Sequence, residues 1–190
     1  MKIAVIFHSG YGHTEKLAEA IYSQLNDDQN VTASIIAISD EGEISDEQWQ
    51  TLDNADTIIF GSPTYMGMAS WQFKKFADAS SKRWFEDKWR NKLAGGFTNS
   101  GSMNGDKHST IHYFITLAMQ HGMLWSGIGM KSANEKSSTR DDINYIGAFS
   151  GLMAQSPADA SPEEAPGKGD IDTAKAFAKR MIEATRLVAK

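Results

Sequence analysis

Ile3-Ala4-Val5-Ile6-Phe7-His8-Ser9-Gly10-Tyr11-Gly12-His13-Thr14 is the stretch that decides the architecture. The apolar run from Ile3 to Phe7 shows no polar alternation, which means burial on both faces, as in an interior strand of a parallel sheet. It leads into a loop with two hydroxyls, Ser9 and Thr14, and two glycines, Gly10 and Gly12. A helix follows, with Leu17, Ala18, Ile21 and Leu25 on one face. Without Cβ atoms the backbone can approach an anion closely, and the helix N-terminus points free N–H groups at it. No Lys or Arg lies inside the loop, so a phosphate would be held by neutral donors. Each hydrogen bond to a charged acceptor is worth about 1.5–3 kcal/mol, and the helix dipole adds roughly 0.3–1 kcal/mol. The plainer alternative is a strand-to-helix turn that merely needs glycine.

Downstream, strands and helices alternate. Val31 to Ile38 is rich in β-branched residues and reads as a second strand, and Ser45 to Leu52 as a helix, with Ser45 and Gln48 spaced as a capping box. Thr57 to Gly61 is a third strand, followed by a helix over about Ser70 to Ser81. Leu93 to Thr98 is a fourth, followed by a helix carrying Ile111, Phe114, Ile115 and Ala118. Gly122 to Trp125 starts a fifth strand, which Ala148 to Ala154 completes, and Asp170 caps a last helix. The pattern implies an α/β doubly wound parallel sheet in a single domain over residues 1–190. Residues 126–169 are irregular and hold Pro157, Pro162 and Pro166, which suggests a lid, a subunit contact or a mobile loop.

With 190 residues, 41% of them hydrophobic, the chain can bury a full core. Its lack of cysteine excludes a disulfide scaffold, thiol catalysis and Cys-ligated zinc or iron–sulfur centres, so redox chemistry would need a bound cofactor. His8 and His112 have no carboxylates at ligand spacing, so no metal site is expected. A net charge of −5 without a basic stripe argues against a nucleic-acid partner. Met1-Lys2 runs into the first strand with no signal-peptide pattern, and no apolar run reaches membrane-span length; a cytoplasmic location is expected.

In open α/β sheets ligands bind beyond the carboxyl ends of the strands, where strand order reverses. That rule selects Ser9-Gly10-Tyr11-Gly12-His13-Thr14, Pro63-Thr64-Tyr65-Met66-Gly67 and Asn99-Ser100-Gly101-Ser102, with Thr98 just before the last. Gly10-Tyr11-Gly12 begins a dinucleotide fingerprint, but Glu15 replaces its third glycine, and no G-K-[ST] appears for a Walker loop. A phosphate cradle flanked by polar loops carrying Tyr65 and Met66 suits a phosphorylated planar ring, for which FMN is the natural candidate.

Together with Gly61 to Gly67, Phe97 to Ser102 and Leu117-Ala118-Met119-Gln120-His121-Gly122-Met123, the opening loop resembles the flavodoxin-like WrbA-type NAD(P)H:quinone oxidoreductases over most of the chain. The resemblance implies a five-stranded sheet in the order 2-1-3-4-5 with helices on both faces. It further implies FMN at the switch point, NAD(P)H as reductant, a quinone-like acceptor and a homo-oligomer, a dimer or tetramer. Ser9 to Thr14 would bind the phosphate, with Tyr11 also near the nicotinamide, while Thr64, Tyr65, Met66 and Asn99 to Ser102 would line the ring. His121 would close over the flavin from a neighbouring subunit, unless it is simply a helix-end residue, and Trp84, with Trp89 as rival, would contact the quinone. Many members carry Arg-Phe where this chain has Tyr65-Met66, which removes a cationic contact, and the connection from Ile38 to Asp56 is short for the group.

On this reading no side chain need act as acid or base, because the cofactor carries the chemistry and backbone N–H groups stabilise its developing charge. NAD(P)H and acceptor would share one site in a ping-pong scheme. The competing expectations are a flavodoxin-type electron carrier and a non-catalytic flavin-binding regulatory module.

Overall fold

The computed structural model describes residues 1–188. Strand β1 (Lys2–Phe7) is flanked by β2 (Thr32–Ala37) and β3 (Thr57–Tyr65), both parallel to it. Beyond β3 lies β5 (Leu93–Ser100), paired in parallel from Thr57↔Leu93 to Pro63↔Asn99. The chain therefore leaves β1 toward one side, reaches β2, and crosses back to β3 on the other. That reversal places the switch point between the carboxyl ends of β1 and β3.

Among the described residues the sheet holds seven strands, not the expected five in the order 2-1-3-4-5. Along its path the order is β2-β1-β3-β5 and then β6 (Leu124–Trp125), with β4 (Met68–Ala69) attached to β3 and β7 (Leu152–Gln155) to β5. Two departures account for the difference. The fifth position is split: β6 (Leu124–Trp125) pairs with Leu93 and Ala94 at the start of β5, while β7 (Leu152–Gln155) pairs with Phe97 to Ser100 at its end. Between them the chain makes an excursion over residues 126–151. The other addition is β4 (Met68–Ala69), which folds back antiparallel on Thr64 and Tyr65. Met66 and Gly67 form the tip of this hairpin with φ of 48° and 79°, the paired positive values that a two-residue hairpin turn needs. The expected Pro63–Gly67 loop is thus the end of a strand plus a tight turn.

Helices cover both faces. On one, Leu17 and Ile21 of α1 (His13–Asn26) and Phe177 and Met181 of α6 (Lys168–Val188) pack on Val5, Ile59 and Phe97. On the other, Trp49 of α2 (Asp46–Asp53), Phe73 and Phe76 of α3 (Trp71–Ala79) and Phe114 of α5 (Lys107–Gln120) pack on Ile6, Ile58 and Phe60. Each such side chain, fully buried, contributes about 1.5–3 kcal/mol. Alternate residues of β1 and β3 feed opposite layers, as the strand's period of two requires.

Local signals read from sequence hold where the partners are local. Ser45 and Gln48 form the reciprocal capping box, with Ser45 N donating to Gln48 Oε1 at 2.7 Å and Gln48 N to Ser45 Oγ at 3.2 Å. The helix expected over Ser70 to Ser81 is interrupted at Ser80, whose hydroxyl donates to Ala77 O, and a short α4 (Ser81–Phe85) follows. Asp170 does not cap α6, which already starts at Lys168. Its carboxylate instead accepts from Arg140 at 2.7 Å and from Gln155 N at 3.0 Å, fastening the excursion and β7 to the last helix. Among the described residues, no helix is long and apolar enough to cross a membrane.

Candidate functional site

The loop after β1 becomes a cradle because of how α1 begins. Gly12 is the N-cap with φ of 84° and no side-chain cap, so the first amides are left to other acceptors. Glu15 N donates to Ser9 Oγ at 3.2 Å and Lys16 N to Gly12 O at 3.0 Å. No acceptor among the described residues meets the amides of Gly12, His13 and Thr14. A Cβ at Gly12 would lie 2.6 Å from Pro162 Cγ, and one at Gly10 2.6 Å from Tyr65 Oη. Three orphan amides at a helix start, with glycine where any side chain would collide, fit a phosphate group.

The cradle opens into a cleft of about 520 Å³ at the carboxyl edge of the sheet, within the size range of small-molecule sites. Its walls come from Tyr11, His13 and Thr14 on one side, Pro63, Thr64 and Tyr65 in the middle, and Asn99, Ser100 and Gly101 on the other. The three loops selected from sequence therefore meet in one place. Tyr11 and Tyr65 stand edge to face at the mouth, ring centroids 6.1 Å apart at 73°. Burial, and then the neighbouring Tyr11, push the Tyr65 phenol above its usual range, so it stays protonated.

Not every expected residue reaches this space. Thr98 is fully buried behind the wall, its hydroxyl 2.8 Å from that of Thr64, which also meets Thr110 at 2.7 Å. This hydroxyl cluster ties β3, β5 and α5 together beneath the cleft. Met66 and Gly67 project at the hairpin tip, Met66 fully exposed. Ser9 backs the cradle, and the Ser102 carbonyl is turned inward onto Lys107.

His121 and Trp84 lie outside the cleft, at the opposite edge. The C-terminus of α5 leads to β6, whose first residue pairs with the first of β5, so His121 sits at the amino ends of the strands. Its Nε2 is 2.8 Å from Ser80 Oγ, its ring is 4.3 Å from that of Trp89, and only 5% of it is exposed. Because the Ser80 hydroxyl donates to Ala77 O, the His121 Nε2–H is the donor to Ser80 and Nδ1 is left buried without a partner among the described residues. Burial lowers its pKa to about 4. Trp89 is wholly buried among Trp49, Phe60 and Phe76, its Nε1 donating to Asp53 at 2.9 Å, which makes it a core residue. Trp84 is half exposed on α4 beside His121.

Ser156, Pro157, Ala158 and Ala160 complete the cleft wall, a placement that the residue types alone do not reveal. The strap after β7 runs across the cradle: Ser156 Oγ donates to Asn99 Oδ1 at 3.1 Å, Pro162 covers Gly12, and Ala165 O lies 3.0 Å from His13 Nδ1. The available signal was the cluster of three prolines in a segment that otherwise lacked periodicity. Among the described residues, no group of three or more His, Asp or Glu could hold a metal.

A parallel sheet whose strand order reverses between β1 and β3, with a cleft beyond the carboxyl ends of those strands, defines a flavodoxin-like α/β protein. The chain belongs to the NADPH-dependent FMN reductase family, whose model matches residues 1–133. It is 46% identical to flavodoxin FldP of Pseudomonas aeruginosa (strain UCBPP-PA14) over 95% of this chain and 94% of that protein. It is 29% identical to an NAD(P)H dehydrogenase (quinone) of Syntrophus aciditrophicus (strain SB), over 86% and 89% of the two chains. Among solved structures it resembles the flavodoxin, WrbA-like protein from Agrobacterium tumefaciens, with a TM-score of 0.78, 44% identity and 98% coverage of both chains.

Proposed function

We propose that this protein is an FMN-dependent oxidoreductase that passes reducing equivalents from NAD(P)H to a quinone-like two-electron acceptor. The observation that carries the reading is the cradle of unpaired amides at Gly12, His13 and Thr14 opening into an uncharged cleft at the switch point. In it Ser9 to Thr14 would hold the phosphate, and Pro63 to Tyr65 with Asn99 to Gly101 would flank the ring system. When bound, FMN would supply the redox chemistry, a two-electron transfer between nicotinamide and acceptor that no side chain of the cleft could carry. Tyr11 and Tyr65 hold the mouth and offer rings for a substrate to stack on, while the strap from Ser156 to Ala165 shields the phosphate end from water. Kinship with proteins named NAD(P)H dehydrogenase (quinone) supports the substrates. One shared mouth implies that the two substrates alternate.

An electron carrier is the second reading, supported by the likeness to a protein named flavodoxin. Mixing the FMN-loaded protein with NADH, NADPH and benzoquinone separates the two. Sustained NAD(P)H oxidation with parallel initial-rate lines at several quinone concentrations is expected. Intersecting lines would remove the alternating scheme, and absence of turnover with either nucleotide would favour the carrier.

A further inference from the structure

Among the described residues no Lys or Arg lines the cleft, yet a cation lies directly behind its wall. Lys107, the first residue of α5, is 1% exposed. Its ammonium donates to Ser100 Oγ at 2.9 Å, Ser102 O at 2.7 Å and Met103 O at 2.9 Å, which uses all three of its hydrogens. Gln155 Nε2 holds the remaining carbonyl, Gly101 O, at 2.8 Å. The acceptors of this loop are thereby committed to Lys107 and Gln155.

Its position is electrostatically costly. A cation at a helix N-terminus opposes the helix dipole, and a buried ammonium without a counter-charge is disfavoured. No carboxylate among the described residues comes within ion-pairing distance of it. Asp170, which pulls its pKa upward, is bonded to Arg140 at 2.7 Å and to Gln155 N. Three hydrogen bonds to neutral groups hold the ammonium, but they do not neutralise it. The natural place for the missing negative charge is the cleft, on the far side of Ser100.

We infer that Lys107 is a positioning residue of the flavin site: it sets the Ser100–Met103 loop and places the positive charge that a reduced, negatively charged flavin meets. The inference rests on the flavin reading above. Charged groups facing Lys107 come from α6, in Asp170, and from the excursion, in Arg140; β5 and β7 contain no titratable residue. Burial brings the Lys107 pKa down to about 8, with Asp170 raising it and Arg140 lowering it. The ammonium is therefore charged below that pH and loses its proton above it. Two electrons and one proton entering the flavin add one negative charge to the cleft and raise the affinity of Lys107 for a proton. Above pH 8, reduction then draws one further proton from solvent onto Nζ. For a two-electron couple this steepens the potential by about 30 mV per pH unit.

The test is the midpoint potential of the FMN-loaded protein from pH 6 to 10, for the native chain, Lys107→Met and Lys107→Arg, with FMN affinity of each apoprotein from fluorescence titration. The native potential should bend to a steeper slope near pH 8. Lys107→Met should lose the bend and, at pH 7, lower the ratio of reduced- to oxidised-flavin affinity at least tenfold, about 30 mV. Lys107→Arg should lose the bend but keep the potential. A Lys107→Met protein with native potential and slope overturns the inference, and so does a straight native profile, which decides the matter even if the Met variant does not fold. Failure of the native apoprotein to bind FMN would instead sink the flavin reading itself.

Discussion

The two edges of the sheet use the same residue types to opposite ends. At the carboxyl edge, Tyr11, His13, Ser100 and Tyr65 surround open space, three helix-start amides have no partner among the described residues, and glycine stands where side chains would collide. At the amino edge, Trp89, His121 and Ser80 close on one another, with Trp89 fully buried and His121 nearly so. Polar groups left unpaired beside solvent are available to a ligand; polar groups left unpaired inside packing only cost stability. Residue identity alone does not separate the two cases.

The contrast is tested most severely at Trp89. Trp89→Ala should destabilise the fold by about 3–5 kcal/mol in chemical denaturation while leaving the FMN affinity of the folded fraction unchanged. A selective loss of FMN binding would give the amino edge a binding role. Next is His121, whose pKa falls from 6.5 to about 4 on burial. The unfolded chain binds a proton there more readily, so stability is present above pH 6.5 and is lost as pH falls toward 4, on the order of 3 kcal/mol over the window. Denaturation curves across that range should be flatter for His121→Leu; an unchanged slope would show that the ring is not held neutral by the fold.

At the other edge the effects should appear in binding. Gly12→Ala forces an L-residue to φ of 84° against Pro162, a strain of about 1–2 kcal/mol, and should weaken FMN binding roughly tenfold by fluorescence titration. Equal affinity would mean that the cradle does not hold the phosphate. The smallest effect is expected at the hairpin tip, where Met66 takes φ of 48°. Met66→Asn relieves that conformation, and thermal melts should show a gain of about 0.5–1 kcal/mol with an unaltered flavin spectrum.

Much of the fold was legible because its signals are local. The apolar run Ile3 to Phe7, the α1 stripe of Leu17, Ile21 and Leu25, and the Ser45–Gln48 capping box each depend on neighbours within one turn or one strand. Asp170 misleads for the opposite reason: an acid at a helix start reads as a cap, but its partners Arg140 and Gln155 are 30 and 15 residues away. The three cleft loops were found from glycine and hydroxyl composition together with the rule for parallel sheets. The Ser156–Ala160 wall was not, because a strap without periodicity announces only that it is irregular.

The sequence by itself determined the alternation of strands and helices, the glycine- and hydroxyl-bearing loop after β1 and the exclusion of thiol chemistry, since these follow from residue types and short-range spacing. Only the tertiary structure decided that the fifth strand position is split, that Trp89 and His121 belong to packing and that Lys107 lies buried behind the cleft wall. Those outcomes depend on which distant segments share a surface. A side chain's charge state, its unpaired atoms and its access to a ligand are properties of that shared surface, and chain order does not encode them one residue at a time.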